Sequence, residues 1–172
     1  AKVATEAYAP LMYQLAENGV DRFLVDMPFH MAFFGMNRAE EIMQEYNYEA
    51  WYLGGHSLGG AMAANFAADY VEDHTDGIRG LLLLAAYPTK DLSTSDMSVV
   101  TVYGSEDGVL NMDKIVAGRE LMPQDYKEVC IEGGNHAQFG SYGAQKGDGT
   151  AAIPAEEQWA RTVEVFIGDE SE

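Results

Sequence analysis

The stretch from Gly80 to Tyr87 is the feature that most limits the folds open to this chain. It is apolar throughout, yet far shorter than the roughly 20 residues that a membrane-spanning helix needs. A short continuous apolar run is typical of a β-strand that is buried on both faces. Such strands belong to parallel sheets covered by helices on both sides, so this run predicts an α/β fold.

The rest of the chain alternates between helix and strand patterns. Thr5–Asn18 has apolar residues at helical spacing and is followed by Gly19, a natural helix stop. The other predicted elements are a strand at Arg22–Met27, a helix at Asn37–Tyr46, a strand at Ala50–Gly55, a helix at Leu58–Val71, strands at Ile78–Ala86 and Ser98–Tyr103, a helix at Asn111–Leu121 that Asn111 caps, a strand at Tyr126–Ile131 and a helix at Pro154–Ile167. We therefore expect one domain over residues 1–172, with a mostly parallel sheet flanked by helices.

The charge of the chain limits its partners. Ten Lys and Arg residues face 28 Asp and Glu residues, for a formal net charge of −18. Such an acidic surface repels nucleic acid and anionic lipid. Cys130 is the single cysteine, which excludes a disulfide within the chain, and its apolar neighbours predict that it is buried. The oligomeric state is left open. The localisation is also left open, because the sequence starts at Ala1 without an initiator Met and is expected to lack its natural N-terminus, where targeting would be read; a cytoplasmic and a membrane-anchored or exported location are both possible.

A glycine-flanked serine follows the predicted strand at Ala50–Gly55. Gly55-His56-Ser57-Leu58-Gly59 fits the G-x-S-x-G pattern, and the small-residue helix follows it at once. A serine on a sharp strand-to-helix turn is held in a strained backbone, and the turn requires flanking residues without bulk, here Gly55 and Gly59. The free N–H groups of the helix lie beside its hydroxyl. This setting predicts a nucleophile at Ser57.

A serine hydroxyl needs an imidazole base to act as a nucleophile at neutral pH. His136 is the best candidate, because glycines precede it and it follows the last predicted strand. His30 lies after the first predicted strand, at the same sheet edge, and is the main rival. His56 should point away from the neighbouring serine, and His74 lies in a polar stretch that is solvated.

The base in turn needs an acid that fixes its tautomer. Asp107 is the best candidate, since it follows the predicted strand at Ser98–Tyr103. Glu106 is adjacent and is an alternative. Asp113 belongs to the first turn of the next helix, while Asp26 ends the first predicted strand and is either structural or in contact with substrate.

Three segments resemble the α/β-hydrolase superfamily: Gly54–Gly60 its nucleophile elbow, Gly104–Val109 its acid loop, and Gly133–His136 its histidine loop. The resemblance covers nearly the whole chain. Asn135–Gly140 is similar to uncharacterised bacterial members of the compact, lidless group around dienelactone hydrolases. The resemblance implies a triad in the chain order Ser57, Asp107, His136, and we expect hydrogen bonds to join the three with His136 in the middle.

The resemblance also implies parts that this sequence does not display. One oxyanion donor is expected at the backbone N–H of Leu58, and the second near Lys2, where the loop after the superfamily's third strand should end. In the superfamily a central strand lies between the strands predicted at Arg22–Met27 and Ala50–Gly55. We therefore expect the natural protein to be longer at its N-terminus. Direct pairing of those two strands would contradict this expectation.

The predicted function is hydrolysis of a small or modest ester by an acyl-enzyme route. The connection between Ala86 and Ser98 is too short for a lid domain, so the site should be open. The side chains predicted to contact substrate are Phe29, His30, Phe34, Tyr87 and Phe139. The residues from 28 to 36 could equally pack the helix that follows. No motif predicts a metal or another cofactor, and Asp148–Gly149 lacks the spaced carboxylates of a calcium loop.

Two kinds of alternative remain open at this point. A thioesterase or a peptidase would use the same triad, and a substrate panel separates these from an esterase. A non-catalytic binding protein on the same fold would not require Ser57, Asp107 and His136 together. A covalent fluorophosphonate probe distinguishes it from an enzyme.

Overall fold

The computed structural model describes residues 3–25, 38–74 and 77–170. A short 3-10 helix, Thr5–Tyr8, leads into the first α-helix. The helices are α1 (Ala9–Glu17), α2 (Arg38–Glu45), α3 (Leu58–Asp73), α4 (Met112–Gly118) and α5 (Ala155–Glu170), and the strands are β1 (Trp51–His56), β2 (Ile78–Leu84), β3 (Ser98–Gly104) and β4 (Tyr126–Ile131). Two further 3-10 turns are Arg119–Leu121 and Ala137–Phe139. None of the helices in these ranges is both long and apolar enough to cross a bilayer.

The four strands form a parallel sheet in the order β1-β2-β3-β4. The predicted fold class, a parallel sheet flanked by helices, is confirmed. β2 contains most of the apolar run that starts at Gly80, and five consecutive residues of its seven, from Gly80 to Leu84, are buried. The pattern succeeded because a strand covered on both faces has no polar alternation.

The two faces of the sheet divide the core by strand periodicity. Leu82, Leu84 and Val102 belong to a cluster that also contains Leu11 of α1 and Phe166 of α5. Their neighbours on the opposite face pack with α3, in a cluster that includes Leu81, Leu83, Val99, Ala64 and Ala67. Because successive side chains of a strand point to opposite faces, each strand of the centre contributes to both clusters.

The strand predicted at Arg22–Met27 is wrong in its described part, because residues 22–25 form no strand. Side chains hold this segment instead. The ring of Phe23 lies 5.5 Å from that of Trp51, and Arg22 Nε donates to the carbonyl of Met12 at 3.0 Å. Within the described ranges, β1 has β2 as its one strand neighbour. The strand expected beside it stays a prediction.

Cys130 is exposed, although its neighbours predicted a buried position. It lies on β4, which is an edge strand of this sheet, and the described part of the chain does not cover it there. An apolar stretch at a sheet edge has the composition of a central strand without its burial.

Candidate active site

The strand ends that carry the predicted catalytic residues meet at one edge of the sheet. His56 of β1 is in register with Leu84 of β2, and Gly104 of β3 with Ile131 of β4. The loops that follow β1, β3 and β4 therefore start side by side. In open parallel sheets this carboxyl edge is where ligands bind.

The turn after β1 has the strained backbone that the G-x-S-x-G pattern predicts. Ser57 has φ 55° and ψ −123°, a conformation that non-glycine residues rarely adopt. Its N–H donates to the carbonyl of Leu84 at 2.8 Å, so the strained residue directly follows the last residue of β1 that pairs with β2. The side chain of this half-buried residue is thereby presented at the sheet edge.

The glycines of this turn differ in what they permit. A Cβ on Gly55 would lie 2.4 Å from the carbonyl carbon of Gly59, and one on Gly60 would lie 2.5 Å from Cβ of Ala86. A Cβ on Gly59 would meet nothing within 4 Å. The expectation that Gly59 must lack a side chain is therefore wrong. Gly55 and Gly60 are the residues that let α3 approach the strand.

The amide of Leu58 begins α3, while the side chain of this residue is 58 % exposed. No backbone hydrogen bond uses this amide within the described ranges. The first N–H groups of a helix have no partner inside the helix, so this amide is free to bind an anionic oxygen. Lys2, the candidate for the second donor, lies outside the described residues.

Asp107 and His136 form a buried pair in the loops after β3 and β4. His136 Nδ1 and Asp107 Oδ2 are 2.9 Å apart, and each side chain is 2 % exposed. The second oxygen, Oδ1, accepts from the amides of Val109 and Leu110 at 2.9 and 2.8 Å. A hydrogen bond at Nδ1 leaves Nε2 as the ring nitrogen available to a reactant.

These contacts also decide the charge of the acid. Burial disfavours the ionised form of Asp107, but the hydrogen bonds from His136, Leu110 and Val109 outweigh that effect. The pKa of Asp107 is consequently below its ordinary value. Asp107 is a carboxylate at neutral pH, as an acid that orients an imidazole must be.

Asp148 joins the acid loop to the histidine loop, and sequence reasoning missed this role. Its carboxylate accepts from the amides of Gly108 and His136, each at 3.2 Å, and from that of Ala137 at 2.8 Å. Its Asp-Gly sequence signals a turn. No local pattern, however, connects it with amides 11 and 12 residues away.

A second anchor comes from α5. Gln158 is fully buried; it accepts from the amide of Asn135 at 3.0 Å and donates to the carbonyl of that residue at 2.9 Å. Trp159 Nε1 donates to the carbonyl of Gln138 at 2.6 Å. The residues on either side of His136 are thus fixed to the last helix.

Ser57, Leu58 and His136 line one cavity of about 700 Å³, together with Tyr8 and Tyr142. The expected hydrogen bond between Ser57 and His136 is not formed; Ser57 Oγ makes no hydrogen bond within the described ranges. In unliganded enzymes, catalytic hydrogen bonds are often loose and tighten only when substrate binds. The expected contact between His136 and Asp107 is formed, while the central position of His136 between Ser57 and Asp107 stays a prediction.

None of the residues predicted to contact substrate is found in the described lining of the cavity. Phe29, His30, Phe34 and Asp26 lie outside the described residues. The alternative that His30 is the base therefore stays a prediction. Phe139 is fully buried among core side chains, so it is placed to support the histidine loop and not to touch substrate. Tyr87 is absent from the described lining of the cavity; its Cβ lies beside Gly118 of α4.

The other candidate residues are not hydrogen-bonded to the pair in the described part of the chain. Glu106 is exposed and accepts from Ser105 Oγ, Asp113 is exposed in the first turn of α4, and His74 is exposed against the ring of Tyr70. Among the described residues, no three His, Cys, Asp or Glu side chains are placed to hold a metal ion.

Comparisons with known proteins agree with this fold. Solved structures with a similar fold include the pyrethroid hydrolase PytH, with a TM-score of 0.68, 13 % identity, and coverage of 100 % of this chain and 96 % of that one. An esterase domain from Rhodothermus marinus has a TM-score of 0.61 at 11 % identity, with 95 % and 78 % covered. Mouse alpha/beta hydrolase domain-containing protein 10 has 0.61 at 10 %, with 95 % and 84 % covered.

At these identities the solved structures show the fold alone. The search of curated proteins found no match. The sequence model of the alpha/beta hydrolase family matches residues 1–160, which is most of the chain. The chain belongs to the alpha/beta hydrolase family.

Proposed function

We propose that this protein is a serine hydrolase that cleaves small or modest esters through an acyl-enzyme on Ser57. The observation that carries the proposal is the buried Asp107–His136 hydrogen bond of 2.9 Å, whose histidine lines the same cavity as the strained Ser57. The esterase and hydrolase names of structural neighbours are consistent with this chemistry.

In this mechanism His136 Nε2 takes the proton of Ser57 Oγ as the oxygen attacks the ester carbonyl. The carbonyl oxygen gains the negative charge, and the Leu58 amide donates to it. The tetrahedral intermediate then expels the alcohol, which leaves with the proton held by His136. A water molecule, deprotonated by the same nitrogen, attacks the acyl-enzyme and releases the acid. Asp107 remains ionised and keeps the ring oriented.

The test is hydrolysis of p-nitrophenyl acetate and butyrate by the purified protein and its Ser57→Ala variant. We expect a loss of roughly 10⁴-fold in kcat for this variant, without a change in fold, because triad members act as a unit. Ser93→Ala is the matched control, since Ser93 is exposed and lies in the turn before β3. Activity in Ser57→Ala equal to that of the parent protein would exclude the serine mechanism.

A matched panel of acyl esters, acyl thioesters and aminoacyl amides then fixes the bond type. An ester preference supports the proposal. A preference for thioesters or amides keeps the triad and replaces the substrate class.

A further inference from the structure

A second histidine lies beside His136 and has no part in the mechanism above. His56, the last residue of β1, is 9 % exposed, and its ring centroid lies 4.5 Å from that of His136. Its Nε2 is buried and makes no hydrogen bond within the described ranges. A buried ring nitrogen without a partner is costly, so its presence next to the proposed base calls for a physical reason.

The other nitrogen of His56 is bound to the N-terminal segment. Nδ1 lies 2.9 Å from the hydroxyl of Tyr8, and the two rings meet edge to face. Tyr8 is itself held against the histidine loop, because the amide of Ser141 donates to the carbonyl of Ala7 at 2.7 Å. A Cβ on Gly140 would lie 3.2 Å from Tyr8 Cε1, so this glycine lets the tyrosine ring approach.

The protonation states of the two partners limit the forms that this hydrogen bond can take. Burial, and then repulsion by His136, lowers the pKa of His56 to about 3, while burial raises the pKa of Tyr8 to about 12. At neutral pH the imidazole is therefore uncharged and the phenol keeps its proton. When Tyr8 donates to Nδ1, the proton of His56 resides on Nε2, and the main chain of His136 favours a proton on this ring.

The groups around His56 leave it no direct chemical role. Tyr8, His136 and Tyr142 face its ring, and Asp107 acts on it at longer range. A neutral imidazole that accepts protons only in strong acid is a poor base at neutral pH. Its Nδ1 is engaged by Tyr8, and its Nε2 is buried. We expect the effect of His56 on the reaction to pass through the neighbouring ring of His136.

We propose that Tyr8 and His56 are a pair of positioning residues that hold the ring and main chain of His136 in place. Asp107 fixes this ring at Nδ1, and the pair supports it from the β1 side. The consequence for the reaction rests on the proposed serine mechanism. The contact with His136 does not.

Kinetics of Tyr8→Phe, His56→Phe and the double variant test the pair, with Tyr13→Phe as the control, since Tyr13 is 61 % exposed. Both phenylalanines keep a ring and remove the hydrogen bond. Active sites are counted by titration with a fluorophosphonate. We expect each single variant to lower kcat per active site by about tenfold, because a small displacement of a catalytic base lowers the rate strongly. KM should stay within about twofold, because each variant keeps an aromatic ring in the cavity wall and leaves Ser57 and Leu58 unchanged. The double variant should lose no more than the worse single one.

A purely structural role predicts something else. It would lower the melting temperature and the titratable fraction, but kcat per titrated site would not change. An unchanged kcat per site in Tyr8→Phe overturns the proposal whatever its melting temperature. Losses that multiply in the double variant overturn the pairing.

A spectroscopic readout keeps this inference separate from the proposed function. In protein labelled with ¹⁵N-histidine, Tyr8→Phe should shift the ring nitrogen signals of both His56 and His136, and Tyr13→Phe should shift neither. Failure of Ser57→Ala to lose activity contradicts the serine mechanism alone. An unmoved His136 signal in Tyr8→Phe contradicts the positioning pair alone.

Discussion

The serine side and the acid–histidine side of this site are built in different ways. The turn at Ser57 is shaped by backbone: a φ of 55° and two glycines that allow α3 to touch β1. The loops of Asp107 and His136 are shaped by side chains from distant parts of the chain, above all Asp148 and Gln158. Backbone strain is specified by residues that are consecutive in the sequence, whereas the side chains that anchor a loop come from positions far apart in the sequence.

The largest expected effect tests the backbone half. Gly55→Ala places a Cβ 2.4 Å from the carbonyl carbon of Gly59, so α3 and β1 must separate, and we expect a loss of at least about 3 kcal/mol in the free energy of unfolding. Gly59→Ala is the matched control, because nothing lies within 4 Å of its Cβ and alanine favours a helix by up to about 1 kcal/mol. Urea denaturation measures both. Equal stabilities would contradict the backbone account of the turn.

The second prediction tests the side-chain half. Asp148→Ala removes the acceptor of the Gly108, His136 and Ala137 amides, and we expect about 2–3 kcal/mol of destabilisation. The activity should fall with it, because the acid and histidine loops lose their link. Asp113→Ala, an exposed position on α4, should change stability by less than about 1 kcal/mol. If both variants behave alike, Asp148 does not hold the loops together.

The third prediction concerns the loss of folding stability at acidic pH. His56 has a lowered pKa of about 3 in the folded protein against an ordinary 6.5, so the unfolded chain binds the extra proton between these values. The contribution of neutral His56 to the free energy of unfolding is fully present above pH 6.5. It is lost as the pH falls towards 3, by up to about 1.4 kcal/mol per pH unit. The lowered pKa of Asp107 adds a further loss below its ordinary 3.8.

Urea denaturation at pH 7.5, 6 and 4.5 measures this dependence. Between pH 6 and 4.5, the free energy of unfolding of His56→Phe should fall less steeply than that of the parent protein. Identical slopes would show that His56 is not buried in its neutral form.

The smallest expected effect separates the acid loop from the helix that follows it. Asn111 caps α4, and its side chain accepts from the amide of Lys114 at 3.2 Å. Asn111→Ala should cost about 1 kcal/mol, as lost caps usually do, and kcat should be unchanged. Thermal unfolding and ester hydrolysis measure the two. A large loss of activity would mean that the cap, and not Asp148, places Asp107.

This contrast explains which parts of the fold and site were predictable. The parallel sheet followed from the apolar run at Gly80–Tyr87, and the turn at Ser57 followed from its glycines, because both are local signals. Asp148 was missed because its partners lie in another loop. The strand at Arg22–Met27 failed in its described part because side-chain contacts of Phe23 and Arg22, not strand pairing, hold that segment.

The glycine and aromatic assignments show the same limit. Gly59 fits the motif, but a Cβ at this position would meet nothing within 4 Å. Phe139 is an aromatic residue of the kind that lines apolar pockets, but it lies in the core. A pattern reports residue type and spacing. It does not report which atoms a Cβ would meet or which side of a loop faces the cavity.

Labelling with a fluorophosphonate, followed by peptide mapping, tests the central claim most directly. The account predicts one equivalent of label on Ser57, none in Ser57→Ala, and a labelling rate lowered by at least about 100-fold in His136→Gln, which lacks the base. Label on another residue, or no label on a folded protein, would contradict the assignment of Ser57 as the nucleophile. An unchanged rate in His136→Gln would contradict the assignment of His136 as its base.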